Sequence, residues 1–406
     1  MVTILKDGTI TSTPRFQAAG ITAGIKESGK KDISFVWSEE PAVAAVALTQ
    51  NKFRAAPVDL CAGFVANETH RGIIINSGNA NACTGEEGAA NALEMCEIIA
   101  KKMNVDTESI FVASTGVIGK QLPMDIIRKG LDKAPESLSR EGGNEAAEAI
   151  MTTDLVSKQI AVYLEIDGEI VTIAGMAKGS GMIHPNMATM IAVLTTDANI
   201  SKEMLQKAFS ASVNTSYNMI SVDGDTSTND SAFIFANGKA NNPIIEASGD
   251  AYIKFKRALD VVNQALAKII ARDGEGATKL LEVRVEHARS LSDAQSVAKS
   301  VITSSLVKTA IFGEDANWGR IICAVGNSTA EYDVAKVQVF VESNGESVQI
   351  VADGSGAEFD AEKLDGLLKN ENITIFIDLM NGGSTATAWG CDLSYDYIKI
   401  NADYRT

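Results

Sequence analysis

The chain has 406 residues, 45% of them hydrophobic and 22% charged, with 36 Lys+Arg against 52 Asp+Glu and a formal net charge of −16. That length and composition belong to a globular protein with roughly two or three cores. The acidic excess excludes a general binder of nucleic acid or anionic membrane, because counterion release needs a basic surface.

Cys61, Cys83, Cys96, Cys323 and Cys391 form no Cys-x-x-Cys pair, so neither a disulfide framework nor a zinc site is suggested. His70, His184 and His287 lack carboxylate or cysteine partners at ligand spacing, and no metal is expected. No apolar stretch has signal-peptide or membrane-span length, so the expectation is a cytoplasmic protein with no membrane partner.

In chain order, Phe16–Ile21 leads into the first ordered strand, and residues 33–36 and 42–48 read as two strands parted by a turn at Glu39, Glu40 and Pro41. Residues 72–75 form a short apolar strand that runs into the small-polar segment NSGNANACTG at 76–85. A helix follows over 87–103, with Ala89, Leu93, Cys96 and Ala100 on one face. Residues 110–113 form the next strand, ending in STGVIG at 114–119. A strand end followed by Thr115 and Gly116 suits a donor pair for an oxyanion, although such a run is also an ordinary turn.

Helices are expected over 124–131 and 144–151. Strands over 159–166 and 169–174 alternate about Asp167 and Gly168, a hairpin signal. The second arm feeds KGSGMIHPNMATM at 178–190, too rich in Gly and Pro for a helix, and then a buried-strand run at 190–194. Thr189 stands at that junction behind the small Ala188. If the Ala188–Thr189 bond is cut, Thr189 gains an α-amine whose ordinary pKa, about 8, suits a base acting on its own hydroxyl. A threonine at a strand start also packs or hydrogen-bonds without any chemistry, and the stretch alone does not decide between the two.

A helix at 202–213 leads to the run MISV at 219–222 and VDGDTSTND at 222–230. Its carboxylates resemble a calcium loop, but Thr228 stands where the turn needs Gly and Ile234 where the last Glu belongs, so calcium is rejected. Asp250–Arg272 is the clearest helix, striped by Tyr252, Phe255, Leu259, Val262, Leu266, Ile269 and Ile270. It ends in RDGEGATK at 272–279, which places Glu275 unfavourably for the helix dipole. A strand at 281–285 and a helix at 293–304 capped by Ser292 follow, then strands at 337–341 and 347–351 about an Asn344–Gly345 turn, a helix at 360–368 and a strand at 373–379. The aromatic C-terminal run suggests a terminus that is tied down.

Seven landmarks in order, namely 76–85, 114–119, 178–190, 222–230, 272–279, DANWGR at 315–320 and YIKINADYRT at 397–406, resemble the ornithine acetyltransferase (glutamate N-acetyltransferase) family of arginine biosynthesis across essentially the whole chain. The resemblance implies a precursor that cuts itself between Ala188 and Thr189 into an α chain (1–188, with the oxyanion hole and scissile loop) and a β chain (189–406). These stay together, commonly as an α2β2 heterotetramer. It implies that the acetyl group moves from N-acetylornithine to glutamate, with acetyl-CoA accepted as donor by some members and no cofactor. By matching motif, Thr189 is the nucleophile, Thr115 and Gly116 form the oxyanion hole, and Thr152, Lys178, Thr189, Glu275, Asn401 and Thr406 are substrate-binding positions. Thr153 competes with Thr152 for that role.

The fold expected is α/β, with mixed, largely antiparallel sheets packed by helices as an αββα-like sandwich, in a self-cleaving N-terminal-threonine enzyme; the hairpins speak against an all-parallel sheet. The rivals are an N-terminal-nucleophile amidohydrolase or aminopeptidase, which releases the acyl group to water, and a non-catalytic scaffold.

Overall fold

The computed structural model describes residues 1–184 and 190–403. Among the described residues, a nine-stranded sheet runs Thr3–Leu5, Lys158–Ile166, Glu169–Lys178, Ile191–Thr196, Ser231–Ala236, Ile33–Leu48, His70–Asn79 and Ile110–Val117, with Phe16–Ile21 also paired to Ile33–Leu48. Most neighbours are antiparallel, while Ile191–Thr196 with Ser231–Ala236 and His70–Asn79 with Ile110–Val117 are parallel. A seven-stranded mixed sheet is built wholly from residues after 219: Ser355–Gly356, Glu346–Ala352, Gln338–Ser343, Asn372–Asp378, Leu280–Ala288, Ser384–Cys391 and Ile220–Ser221.

The first sheet doubles over on itself because Ile33–Leu48 is one bent strand rather than the two expected. Its first part pairs with Phe16–Ile21 and His70–Asn79, its last with Ser231–Ala236, and the register shifts between Trp37 and Ala42. Pro41 is exposed within that shift, where the missing N–H costs no ladder bond, so the chain bends without stopping. The two halves then face each other. The Phe111 ring lies 5.3 Å from Phe233 and 5.9 Å from Phe235.

Alternation along the central strands shows the layering. Ile191, Val193, Phe233 and Phe235 join the core between the two halves, while Ala192, Leu194, Ala232 and Ile234 join the core beneath helices Lys202–Asn214 and Asp250–Arg272. Helices Gly85–Met103 and Met124–Lys133 cover the opposite side with Met95, Cys96, Ile99, Ile127 and Leu131. The order helix, sheet, sheet, helix is the sandwich anticipated. Asp250–Arg272 also packs on the second sheet, which explains why its buried residues run along its whole length.

Both turn signals hold, with Asp167 (φ 52°) and Gly168 (φ 89°) in the left-handed conformations a tight hairpin requires. Other expectations shift. The helix after Leu280–Ala288 is Leu291–Ile302, capped by Ser290 and not Ser292: the Asp293 N–H donates to Ser290 Oγ at 3.1 Å and Ser290 Oγ donates to Asp293 Oδ2 at 2.8 Å. A second helix, Ser305–Phe312, and a third, Trp318–Gly326, follow where no element was expected, and Tyr395–Asp403 is helical with no buried residue. All five cysteines are unpaired. No helix among the described residues is long and apolar enough to cross a membrane.

His70 illustrates what burial does to a titrating group in this core. Its ring stacks on Phe111 at 4.2 Å with Nε2 3.0 Å from the Phe64 carbonyl, and burial pushes its pKa down to about 4. The folded value lies below the unfolded one, about 6.5, so stability is whole above that pH and withdraws as pH falls toward the folded value. Asp197 has the opposite sign, being pushed up to about 6 by burial. Comparison of wild type with His70→Gln cancels it. Between pH 7 and 4.5 wild type is expected to lose about 2.5 kcal/mol more than the variant in urea unfolding; parallel losses would show that His70 does not titrate as described.

Candidate functional site

The ends of the central strands open onto one cleft of about 160 Å³, lined by segments far apart in sequence. Thr115 and Gly116 come from the end of Ile110–Val117, Thr152 and Thr153 from the chain after helix Gly143–Ala149, and Lys178 from the last position of Glu169–Lys178. Glu275 follows the C-terminus of Asp250–Arg272, and Asn401 lies on Tyr395–Asp403. Thus six of the positions carried over by motif line a single cavity, and Thr152 and Thr153 both face it. Ala188, Thr189 and Thr406 lie outside the described residues. Met190, next to Thr189 in the chain, lines the cleft, and its neighbour Ile191 pairs with Lys178.

Thr115 and Gly116 are held from two sides. In the parallel ladder they oppose Ser77 and Gly78, and Asn229 Nδ2 donates to the carbonyls of Ala80 (2.5 Å) and Ser114 (2.8 Å). Gly116 has φ 135°, and a Cβ there would stand 2.3 Å from the Gly78 carbonyl carbon. Only glycine lets these two strands meet at this point.

Lys178 is buried, and burial pulls its pKa below the usual lysine range while Asp154 opposes the fall. The two are 4.0 Å apart, an ion pair without a hydrogen bond. For Asp154, burial alone would raise the carboxyl, but the Lys178 and Lys158 ammoniums overcome it and hold it well below the usual carboxylate range. Glu275 accepts from Asn401 Nδ2 at 2.9 Å, and its backbone N–H donates to the Ser180 carbonyl at 3.1 Å. Its carboxylate lies against Gly181, where a Cβ would come within 2.4 Å of it.

Several residues with no part in the expectations shape the cleft. Lys26 Nζ donates to the Met151 and Lys31 carbonyls, each at 2.7 Å, and so fixes the chain just before Thr152; burial, against Asp32, lowers its pKa to about 8. Ser227, Asn229 and Asp230 line the cavity from the loop that resembled a calcium site. Among the described residues no group of His, Cys, Asp and Glu could hold a metal ion. His184 does not line the cleft: its Nδ1 lies 3.2 Å from Ser221 Oγ, its carbonyl accepts from Thr226 Oγ1, and burial pushes its pKa down to about 4. Asp223 accepts from the N–H groups of Met182 (2.6 Å) and Ile183 (2.8 Å), fixing the chain as it leaves the cleft wall.

A cleft that gathers a buried ammonium, a carboxylate and a threonine–glycine pair from distant segments is the equipment of an enzyme that acts on a small charged molecule. A family model described as the ArgJ family matches residues 17–406. The chain is 50% identical over 405 residues to the arginine biosynthesis bifunctional protein ArgJ 1 of Clostridium acetobutylicum, a match covering 100% of this chain and 99% of that one. Among solved structures it is similar to the arginine biosynthesis bifunctional protein argJ of Bacillus halodurans (43% identity, 52% of this chain and 97% of that chain, TM-score 0.48). It is also similar to an ornithine acetyltransferase complexed with ornithine from Mycobacterium tuberculosis (38% identity, 46% and 100%, TM-score 0.44). The chain belongs to the ArgJ family and is an enzyme of arginine biosynthesis.

Proposed function

We propose that this enzyme transfers the acetyl group of N-acetylornithine to glutamate by way of an acetyl ester on Thr189, after cleavage of its own Ala188–Thr189 bond. Membership of the ArgJ family supports the reaction. The observation that carries the site assignment is that Thr115, Gly116, Thr152, Lys178, Glu275 and Asn401 line one cleft together with Met190, the residue after the proposed nucleophile.

In this mechanism the Thr189 hydroxyl attacks the acetamide carbonyl while its α-amine takes the hydroxyl proton. Donors at Thr115 and Gly116 hold the oxyanion, which collapses as the ornithine nitrogen leaves with that proton. Glutamate then enters the same cleft, its amine attacks the ester carbonyl, and N-acetylglutamate leaves with the Thr189 hydroxyl restored, a ping-pong cycle. Lys178 takes a substrate carboxylate and Glu275 an ammonium, which suits ligands carrying both charges. Transfer in place of hydrolysis requires the ester to be shielded from water. No cofactor takes part, and acetyl-CoA is a donor to be tested beside N-acetylornithine.

The α and β chains, 1–188 and 189–406, remain associated in this reading because they share one sheet. Ile191–Thr196 and Ser231–Ala236 lie between Glu169–Lys178 and Ile33–Leu48, so separating the products would tear two ladders. Assembly as a cytoplasmic α2β2 heterotetramer follows the family resemblance.

The test is N-acetylornithine labelled in its acetyl group, incubated with glutamate. Labelled N-acetylglutamate and free ornithine are the expected products; labelled acetate without N-acetylglutamate would overturn the assignment in favour of an amidohydrolase.

A further inference from the structure

Beside the cleft lies a cluster of buried charges that the proposed chemistry does not use. The Lys158 side chain is 0% exposed, and its Nζ donates to Asp154 Oδ1 at 2.7 Å and to Asp273 Oδ2 at 2.6 Å. Asp154 follows helix Gly143–Ala149 and Lys158 begins a strand of the first sheet shortly after it, whereas Asp273 comes from a distant segment, where it caps Asp250–Arg272.

Two further bonds of the cluster join Asp273 Oδ2 and Lys158 Nζ to the backbone of Val156, and the others tie it to segments that carry cleft positions. Asp154 accepts from the N–H of Thr152 at 2.9 Å and of Gly179, next to Lys178, at 2.7 Å. Asp273 Oδ2 accepts from the Leu155 N–H at 3.0 Å, and its backbone carbonyl accepts from Ser180 Oγ at 2.7 Å; the Ser180 carbonyl in turn accepts from the Glu275 N–H. The three segments that carry Thr152, Lys178 and Glu275 are therefore tied to one another through two carboxylates and one ammonium. A buried ion cluster is seldom the most stabilising way to fill a core, since desolvation offsets much of the attraction. Its geometry is the more informative feature.

That geometry bears on Lys178. With Asp154 hydrogen-bonded to Lys158, Thr152 and Gly179, the Asp154 carboxylate stands 4.0 Å from Lys178 Nζ, near enough to favour the ammonium but too far to occupy its N–H donors. We propose that Asp154, Lys158 and Asp273 are positioning residues that hold the Asp154 carboxylate off the Lys178 donors, so that these can take the carboxylate of an amino-acid ligand, and that lock the Thr152 and Glu275 segments around that ligand. This rests on the proposed transfer of acetyl between amino acids and adds the group that sets their affinity.

The test compares wild type with the double variant Lys158→Met and Asp273→Asn, which removes one charge of each sign and keeps the side-chain volumes close. Without Lys158, Asp154 is free to close on Lys178 and take its donors. The double variant is expected to raise KM for glutamate and for N-acetylornithine about tenfold, with kcat changed by less than about threefold. In a Lys178→Met background the same two substitutions are expected to leave KM unchanged, because the group they act through is gone. Asp154→Asn serves as the single-site variant should the double variant not fold, with the same expected KM-against-kcat split and the same loss of effect beside Lys178→Met. An unchanged KM in a folded variant, or an equal rise with and without Lys178, overturns the proposal and leaves a purely structural cluster. Calorimetric binding of L-glutamate to each protein separates the two readings. A wild type that binds glutamate but transfers no acetyl sinks the function alone, and the ratio of Kd values then decides the positioning role by the same criterion. A wild type that binds no glutamate overturns both.

Discussion

Thr189→Ala is expected to leave the purified protein as a single 406-residue chain and to lower acetyl transfer by roughly five orders of magnitude, the scale on which loss of a covalent nucleophile falls. The two effects have one cause. Without the hydroxyl nothing attacks the preceding carbonyl, so the α-amine that serves as base is never released, and the attacking oxygen is absent as well. Thr189→Ser keeps both groups and is expected to split and to transfer, more slowly. Intact mass and the label-transfer assay read the two outcomes separately. Efficient splitting of the alanine variant would refute the self-cleavage assignment, and undiminished transfer would remove Thr189 from the mechanism. An uncut wild-type chain would favour the scaffold reading.

Much of the cleft was legible through the ordered resemblance of its runs to one family, while composition alone gave only hints. The Gly and Pro of 178–190 speak against a helix, STGVIG ends a strand with a hydroxyl and a glycine but is also an ordinary turn, and RDGEGATK places a carboxylate where the helix dipole disfavours it. The hairpins at Asp167 and Asn344 and helix Asp250–Arg272 were equally plain, since local turn chemistry and a 3.6-residue stripe determine them. The strand Ser231–Ala236 was hidden for the opposite reason. Buried on both faces at the middle of the sandwich, it shows no alternation, and it follows directly on a loop of carboxylates. Ser384–Cys391, built only from Ser, Thr and Ala before its Trp, carries too little apolar pattern to declare itself.

The positioning residues were not legible for a different reason. Asp154 and Lys158 are neighbours in the chain, but Asp273 joins them from 115 residues beyond Lys158, and only the packing of Asp250–Arg272 against the Lys158–Ile166 strand brings them together. A lysine followed by alternating residues reads as a solvated strand start, yet here that lysine is fully buried. Asn229 is a similar case. Its place in a loop like a calcium site suggested a ligand that was then rejected, whereas its amide holds two carbonyls and fixes the strand that carries Thr115 and Gly116.

Gly116→Ala is expected to be the most damaging change among the described residues of the cleft. The φ of 135° is a region L side chains rarely adopt, and the new methyl would stand 2.3 Å from the Gly78 carbonyl carbon and 2.5 Å from the Asn79 nitrogen. Those are backbone atoms of the paired strand, so no side-chain rotation relieves the contact and the parallel ladder must open. Strain and overpacking together predict a loss of about 3 kcal/mol in stability. Displacing an oxyanion donor adds a fall in kcat of about 10²- to 10³-fold that persists at temperatures where the variant is folded. Gly119→Ala is the control: its φ of 80° also disfavours alanine, but nothing lies within 4 Å of the added carbon. It is expected to cost about 1 kcal/mol and to leave kcat near wild type. Thermal unfolding and single-turnover acetylation measured on both variants separate backbone strain from the loss of the donor. Equal kcat values in the two would mean that Gly116 is needed for the meeting of two strands and not for holding the oxyanion.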